Sequence, residues 1–141
     1  MSFAVYTFRT FPKIGALKKE FPHLFIFDKL KQDIESFCGH LQKVKPDFVI
    51  GVAMAKKKSV FEPIAINNFH GHGVIADAPD KLSLHIPSEL VFPVSPKPSN
   101  SFCNYSMLKI QYFINQHQLP TKLIFIHLNH KDITSLPKII K

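Results

Sequence analysis

The 141 residues carry 18 Lys and Arg against 10 Asp and Glu, a formal net charge of +8, on a length that suits one domain. With 45% hydrophobic and 20% charged residues, the composition excludes a disordered chain, and two cysteines exclude a disulfide framework. The longest apolar run, residues 49–55, falls well short of the roughly 20 residues that a bilayer span needs, and Arg9 and Pro12 interrupt the apolar region a signal peptide requires. The expectation is a soluble, cytoplasmic, single-domain protein with no membrane partner.

Along the chain, residues 2–9 (SFAVYTFR) alternate and read as a first strand, broken by Pro12 and Gly15. Residues 24–27 (LFIF) form a short buried strand. Asp28 stands as an N-cap before a helix whose apolar face is Leu30, Ile34, Phe37, Leu41 and Val44, at spacings of 4, 3, 4 and 3. Pro46 ends it. Residues 48–53 (FVIGVA) make a third strand, apolar on both faces, and residues 61–67 (FEPIAIN) a fourth. Residues 68–73 read as a loop. Residues 77–98 hold five prolines around two short extended segments. Capping residues at Ser99, Asn100 and Ser101 precede a helix over 102–116, and residues 122–128 (KLIFIHL) form a last buried strand. The end of the chain, with Pro137 and its lysines, reads as frayed. This order predicts an α/β layer fold with a mostly parallel sheet, in which chemistry belongs at the carboxyl ends of the strands.

The positive charge invites a nucleic-acid partner, but Arg9 is the sole arginine and the lysines are scattered, with one run at Lys56-Lys57-Lys58. Arginine is the residue that reads guanine and stacks on bases, so a solvated lysine surface is the better account. A basic nucleic-acid-associated domain remains a third reading, behind the two that follow. His70-x-His72 and His127-x-x-His130 have no recognised ligand spacing, and no metal is expected. No glycine pattern suits a phosphate, so no cofactor is expected.

Cys103 falls just inside the start of the second helix, where free N–H groups and the helix dipole favour a thiolate. His127 ends the following strand and could exchange a proton with that thiol. Glu62 could orient the imidazole. Cys38 lies beside the apolar face of the first helix and reads as packing.

These residues sit within a wider set of matches. Pro46-Asp47, then FVIGVAMAKKKSVFEPIAIN with Gly51, Ala53, Glu62, Ile64, Ala65, Ile66 and Asn67, then Ser99-Asn100-Ser101, Cys103-Asn104-Tyr105-x-Met107 and Phe125-Ile126-His127, together resemble the pyroglutamyl peptidase I (pyrrolidone-carboxylate peptidase) family. Phe8 and Phe11 match two aromatics near the start of that family's sequences. The resemblance implies a three-layer α/β/α sandwich around a mostly parallel mixed sheet, a single domain over residues 1–141 that lacks the family's C-terminal helix, and a cofactor-free cysteine peptidase. It would remove N-terminal pyroglutamyl residues from peptides through a thioacyl intermediate. Cys103 would be the nucleophile, His127 the base and acid, Glu62 its orienting group, and Phe8, Phe11 and Asn67 would contact substrate.

The sequence departs from the family at several points. Pro12-Lys13 replace a Gly-Gly pair, Pro63 an arginine, and Asn129 a proline. Without the C-terminal helix, one face of the sheet is expected to be bare unless a partner or a second copy covers it. These departures keep open a second reading, a catalytically inactive homologue that binds a peptide, a protein or its own copy.

Overall fold

The computed structural model describes residues 1–69, 74–99 and 101–140, the side chain of Ile140 excepted. The sequence alternates strong strand formers with helical stretches, and the chain follows them. β1 (Phe3–Phe8), α1 (Ile14–Glu20), β2 (Phe25–Phe27), α2 (Leu30–Val44) and β3 (Phe48–Met54) come first. They are followed by β4 (Val60–Phe61), β5 (Ile64–Ile66), β6 (Lys81–Ser83), α3 (Phe102–Gln116), β7 (Lys122–Leu128) and a 3₁₀ segment, His130–Ile140.

Five strands form one sheet in the order β2-β1-β3-β7-β4. The first four are parallel, and only β4 runs against its neighbour β7. β1 pairs β2 on one side and β3 on the other, so the direction of winding reverses between β1 and β3. In sheets of this kind, that reversal opens a crevice at the carboxyl ends of the strands.

Side-chain alternation sorts the sheet into two faces. Ala4, Tyr6, Phe8, Val49, Ala53, Leu123 and Phe125 pack with α2 and α3. Val5, Ile50, Val52, Ile124 and Ile126 pack with Leu17 of α1 and with Ile133, Leu136 and Ile139 of the 3₁₀ segment. The result is the expected three-layer sandwich. The face expected to be bare is covered: the end of the chain, read as frayed, lays three buried side chains on it beside α1.

Three local expectations change. The helix α1 was masked in the sequence by Pro12 and Gly15, but both lie at its entrance, where neither breaks a hydrogen-bonded turn. Residues 61–67 are not one strand. Pro63 cannot donate to a ladder, so the chain leaves β4 there and enters β5, which pairs only with β6 in a separate two-stranded sheet. Finally, Asp28 does not cap α2; it pairs with Arg9 at 3.2 Å on the surface. The first turn is instead held from inside the helix, where the Asp33 carboxylate accepts the N–H groups of Asp28 and Lys29 at 2.7 and 3.0 Å. A carboxylate at that end also complements the helix dipole.

Of the proline-rich stretch, β6 is one extended segment. The other, around Val94, lies along the free edge of β4: Phe61 N–H donates to Pro93 O and Ser95 N–H to Phe61 O. That closes the sheet edge on this side.

Candidate active site

His127 occupies the sixth position of β7, on the same face as Leu123 and Phe125, and so points towards α3 rather than α1. β4 runs antiparallel to β7 with Val60 opposite His127 and Phe61 opposite Ile126. Glu62 continues that ladder by donating its N–H to Phe125 O at 2.9 Å. Its carboxylate therefore reaches the imidazole, and His127 Nδ1 lies 2.8 Å from Glu62 Oε2. The Glu62 side chain is only 4% exposed. Its second oxygen, Oε1, has no hydrogen-bond partner among the described residues. A buried carboxylate with one oxygen unpaired is costly to stability, so its presence is better explained by what it does to His127.

The loop before β4 is anchored to the end of β7. Asn129 N–H donates to Ser59 Oγ at 2.8 Å, Ser59 Oγ donates to Asp132 Oδ2 at 2.6 Å, and Asn129 Nδ2 donates to Lys57 O. The asparagine that departs from the resembled family thus clamps residues 57 and 59, the approach to Glu62.

Cys103 is the second residue of α3, whose N-cap is Ser101. The Ser101 hydroxyl does not cap the helix but accepts a hydrogen bond from Ser99 Oγ at 2.8 Å. The first N–H groups of a helix lack intrahelical acceptors, so the backbone around Cys103 offers donors to an anion. Asn104 faces away from the cysteine. It is fully buried and pairs with β5 as a strand would, accepting from Ile66 N–H at 2.9 Å and donating to Ile66 O at 2.6 Å.

Cys103 and His127 share a cavity of about 360 Å³ with Phe8, Thr10, Phe11, Ala53, Met54, Ser101 and Phe102. It lies at the carboxyl ends of β1, β3 and β7, where the winding reversal places it. Burial alone would lower the His127 pKa, but its interactions with Cys103 and with the accepting Glu62 carboxylate outweigh burial and raise it from 6.5 to about 9. The balance favours the cationic imidazole between a sulfur and a carboxylate.

Five of the six residues singled out in the sequence converge here: Cys103, His127, Phe8 and Phe11 line the cavity, and Glu62 stands behind His127. Asn67 does not line it. Its carboxamide accepts from Ile75 N–H at 2.7 Å and donates to Ile75 O and Ala78 O, which pins residues 75–78 against the end of β5. His70 and His72, half of the histidine pattern considered for metal, and Asn100 lie outside the described residues. Among the described residues no group of three or more His, Cys, Asp or Glu could hold a metal ion, and no helix is long and apolar enough to cross a membrane.

The sequence reading did not single out Thr10, Met54 or Phe102 as lining residues, although Phe102 adjoins Cys103. It also missed Tyr6. The Tyr6 hydroxyl lies 2.9 Å from Ser106 Oγ, and Ser106 Oγ donates to the Cys103 carbonyl at 2.6 Å. The available signal was strand alternation, which puts Tyr6 on the face of Phe8.

Fold and site together define a three-layer α/β protein in which a thiol, an imidazole and a carboxylate meet at the crevice of a parallel sheet. No protein-family model matches the sequence, and no curated protein aligns with it significantly. Solved structures do match. Pyroglutamyl peptidase I of Bacillus amyloliquefaciens superposes with a TM-score of 0.74 at 17% identity, over 99% of this chain and 94% of that one. A mutant pyrrolidone carboxyl peptidase of Pyrococcus furiosus gives 0.71 at 18%, over 98% and 86%. The pyrrolidone carboxyl peptidase of Thermococcus litoralis gives 0.66 at 20%, over 89% and 76%. The chain has the pyrrolidone carboxyl peptidase fold.

Proposed function

We propose that this protein is a divergent pyroglutamyl peptidase, a cysteine hydrolase that releases N-terminal pyroglutamate from peptides. The observation that carries the reading is the line from Glu62 through His127 to Cys103, opening on a cavity walled by Phe8 and Phe11. A thiol beside a cationic imidazole whose other nitrogen is fixed by a carboxylate is the arrangement of acyl-transfer catalysis.

In this reading the lactam ring lies between the aromatic side chains and its exocyclic carbonyl carbon faces Cys103 Sγ. The thiol proton rests on His127 and the thiolate attacks that carbon. The oxyanion is received by backbone N–H groups at the start of α3. As the C–N bond breaks, His127 passes its proton to the departing amine, leaving a thioester on Cys103. Water, deprotonated by His127, attacks the thioester and releases pyroglutamic acid, and His127 keeps the proton for the next cycle. Glu62 keeps Nδ1 bonded throughout, so that the other ring nitrogen, Nε2, performs every transfer. No step requires a cofactor.

The test is hydrolysis of a fluorogenic pyroglutamyl amide by the purified protein beside Cys103→Ala. Turnover that disappears in the variant supports the enzyme and its nucleophile. Folded protein with no turnover above the variant sinks the enzymatic reading in favour of a binding homologue.

A further inference from the structure

A second cavity, of about 220 Å³, adjoins the one that holds Cys103 at Phe102. Leu30 and Lys31 at the start of α2 line it, with Phe69 after β5 and Phe102 and Tyr105 of α3. Phe102 belongs to both cavities. The residue is 44% exposed and its ring stands edge-on to Phe8 with centroids 4.9 Å apart, so one side chain borders both spaces. Within its lining Phe69 and Tyr105 meet edge to face, with centroids 5.1 Å apart.

We propose that this second cavity is the subsite for the residue immediately after the scissile bond, and that it selects an aromatic side chain there. The inference rests on the peptidase reading above. With an acyl group in the first cavity and its carbonyl at Cys103, the departing amine belongs to the next residue. One extended residue advances only about 3.3–3.6 Å, so that residue is the one whose side chain can enter a space bounded by the same Phe102 ring. Three of the five lining residues are aromatic and one is leucine. Such walls hold a ring through burial and edge-to-face contact. Lys31, an exposed residue, is the remaining wall; a lysine covers apolar surface with its methylene stem while its ammonium stays in water.

The experiment compares kcat/KM for pyroglutamyl-phenylalanine amide and pyroglutamyl-alanine amide. Wild type is expected to favour the phenylalanine peptide by about tenfold or more. Tyr105→Ala should bring the ratio close to one while leaving the alanine peptide nearly unaffected, and Tyr105→Phe should restore it. Leu30→Trp approaches from the neighbouring helix. It should fill the space and remove the preference without altering α3, which covers the case in which Tyr105→Ala does not fold. Turnover of both peptides at equal efficiency overturns the subsite and leaves the peptidase reading standing. So does a phenylalanine preference that survives both Tyr105→Ala and Leu30→Trp. No turnover of either peptide by folded wild type overturns the peptidase reading and the subsite with it.

Discussion

The hydroxyl of Tyr6 on β1 lies 2.9 Å from the hydroxyl of Ser106 on α3, one hundred residues further along the chain. Because Ser106 donates onward to the carbonyl of Cys103 at 2.6 Å, Tyr6 must be the donor in this pair. Burial raises the Tyr6 pKa far above its ordinary value, so the phenol keeps its proton at every working pH. A strand is thereby tied to the first turn of the helix that carries the thiol. Tyr6→Phe removes one net hydrogen bond, for about 1 kcal/mol, and leaves Ser106 with its carbonyl. Ser106→Ala strands a buried phenol and should cost more, about 1–3 kcal/mol. Urea unfolding of the two variants checks the order, and a larger loss in Tyr6→Phe would contradict this direction of donation.

The same tyrosine explains a glycine. A Cβ at Gly51 would meet Phe125 Cδ2 and Tyr6 Cζ at 2.5 Å and the Tyr6 hydroxyl at 2.6 Å. All three groups are fully buried, and neither ring has room to retreat without disturbing the core between the sheet and α3. Gly51→Ala is expected to cost about 1–3 kcal/mol by overpacking, and to push the phenol away from Ser106. Thermal unfolding measures the first effect. A fully stable Gly51→Ala variant would show that the rings above the strand are less firmly placed than described.

The two cysteines should differ sharply towards iodoacetamide. Cys38 lies between α2 and α3, and burial pushes its pKa up to about 12, with Lys109 opposing and Glu35 adding slightly. Very little thiolate exists there at neutral pH, and the thiolate is the reacting form. Cys103 is as buried as Cys38, but it shares its cavity with His127, whose cationic form is favoured. Mass spectrometry after brief alkylation at neutral pH should find label on Cys103 well before Cys38. Equal rates at the two positions would remove Cys103 from the role of nucleophile.

Much of this arrangement is legible in the sequence, and the gaps have physical causes. α2 announces itself because five apolar residues recur on one face, and β3 and β7 because they are apolar on both. Cys103, His127 and Glu62 stand out because their chemistry and positions suit one another before any contact is known. The end of the chain was misread because its apolar residues, Ile133, Leu136 and Ile139, repeat every third residue. That is the period of a 3₁₀ helix, in which side chains three apart eclipse; a search for the 3.6-residue period passes over it. The Tyr6–Ser106 pair was invisible for another reason. Each residue is unremarkable in its own element, and only the stacking of β1 under α3 brings the hydroxyls together.

His127 supplies the last prediction. Its folded pKa, raised from 6.5 to about 9, means that the native state holds this proton more tightly than the unfolded chain does. The stability it contributes is fully present below pH 6.5 and is lost as pH rises through about 9. Catalysis has the same limit if His127 must give its proton to the leaving amine, so kcat/KM should fall above an apparent pKa near 9. Glu62→Gln removes the charge that helps hold that proton and weakens the bond at Nδ1. The basic limb should then move to lower pH and the maximal rate should drop by about a hundredfold or more. A merely structural Glu62 would lower stability and leave the limb where it was. A pH–rate profile of the two proteins, at a temperature where both are folded, separates these outcomes.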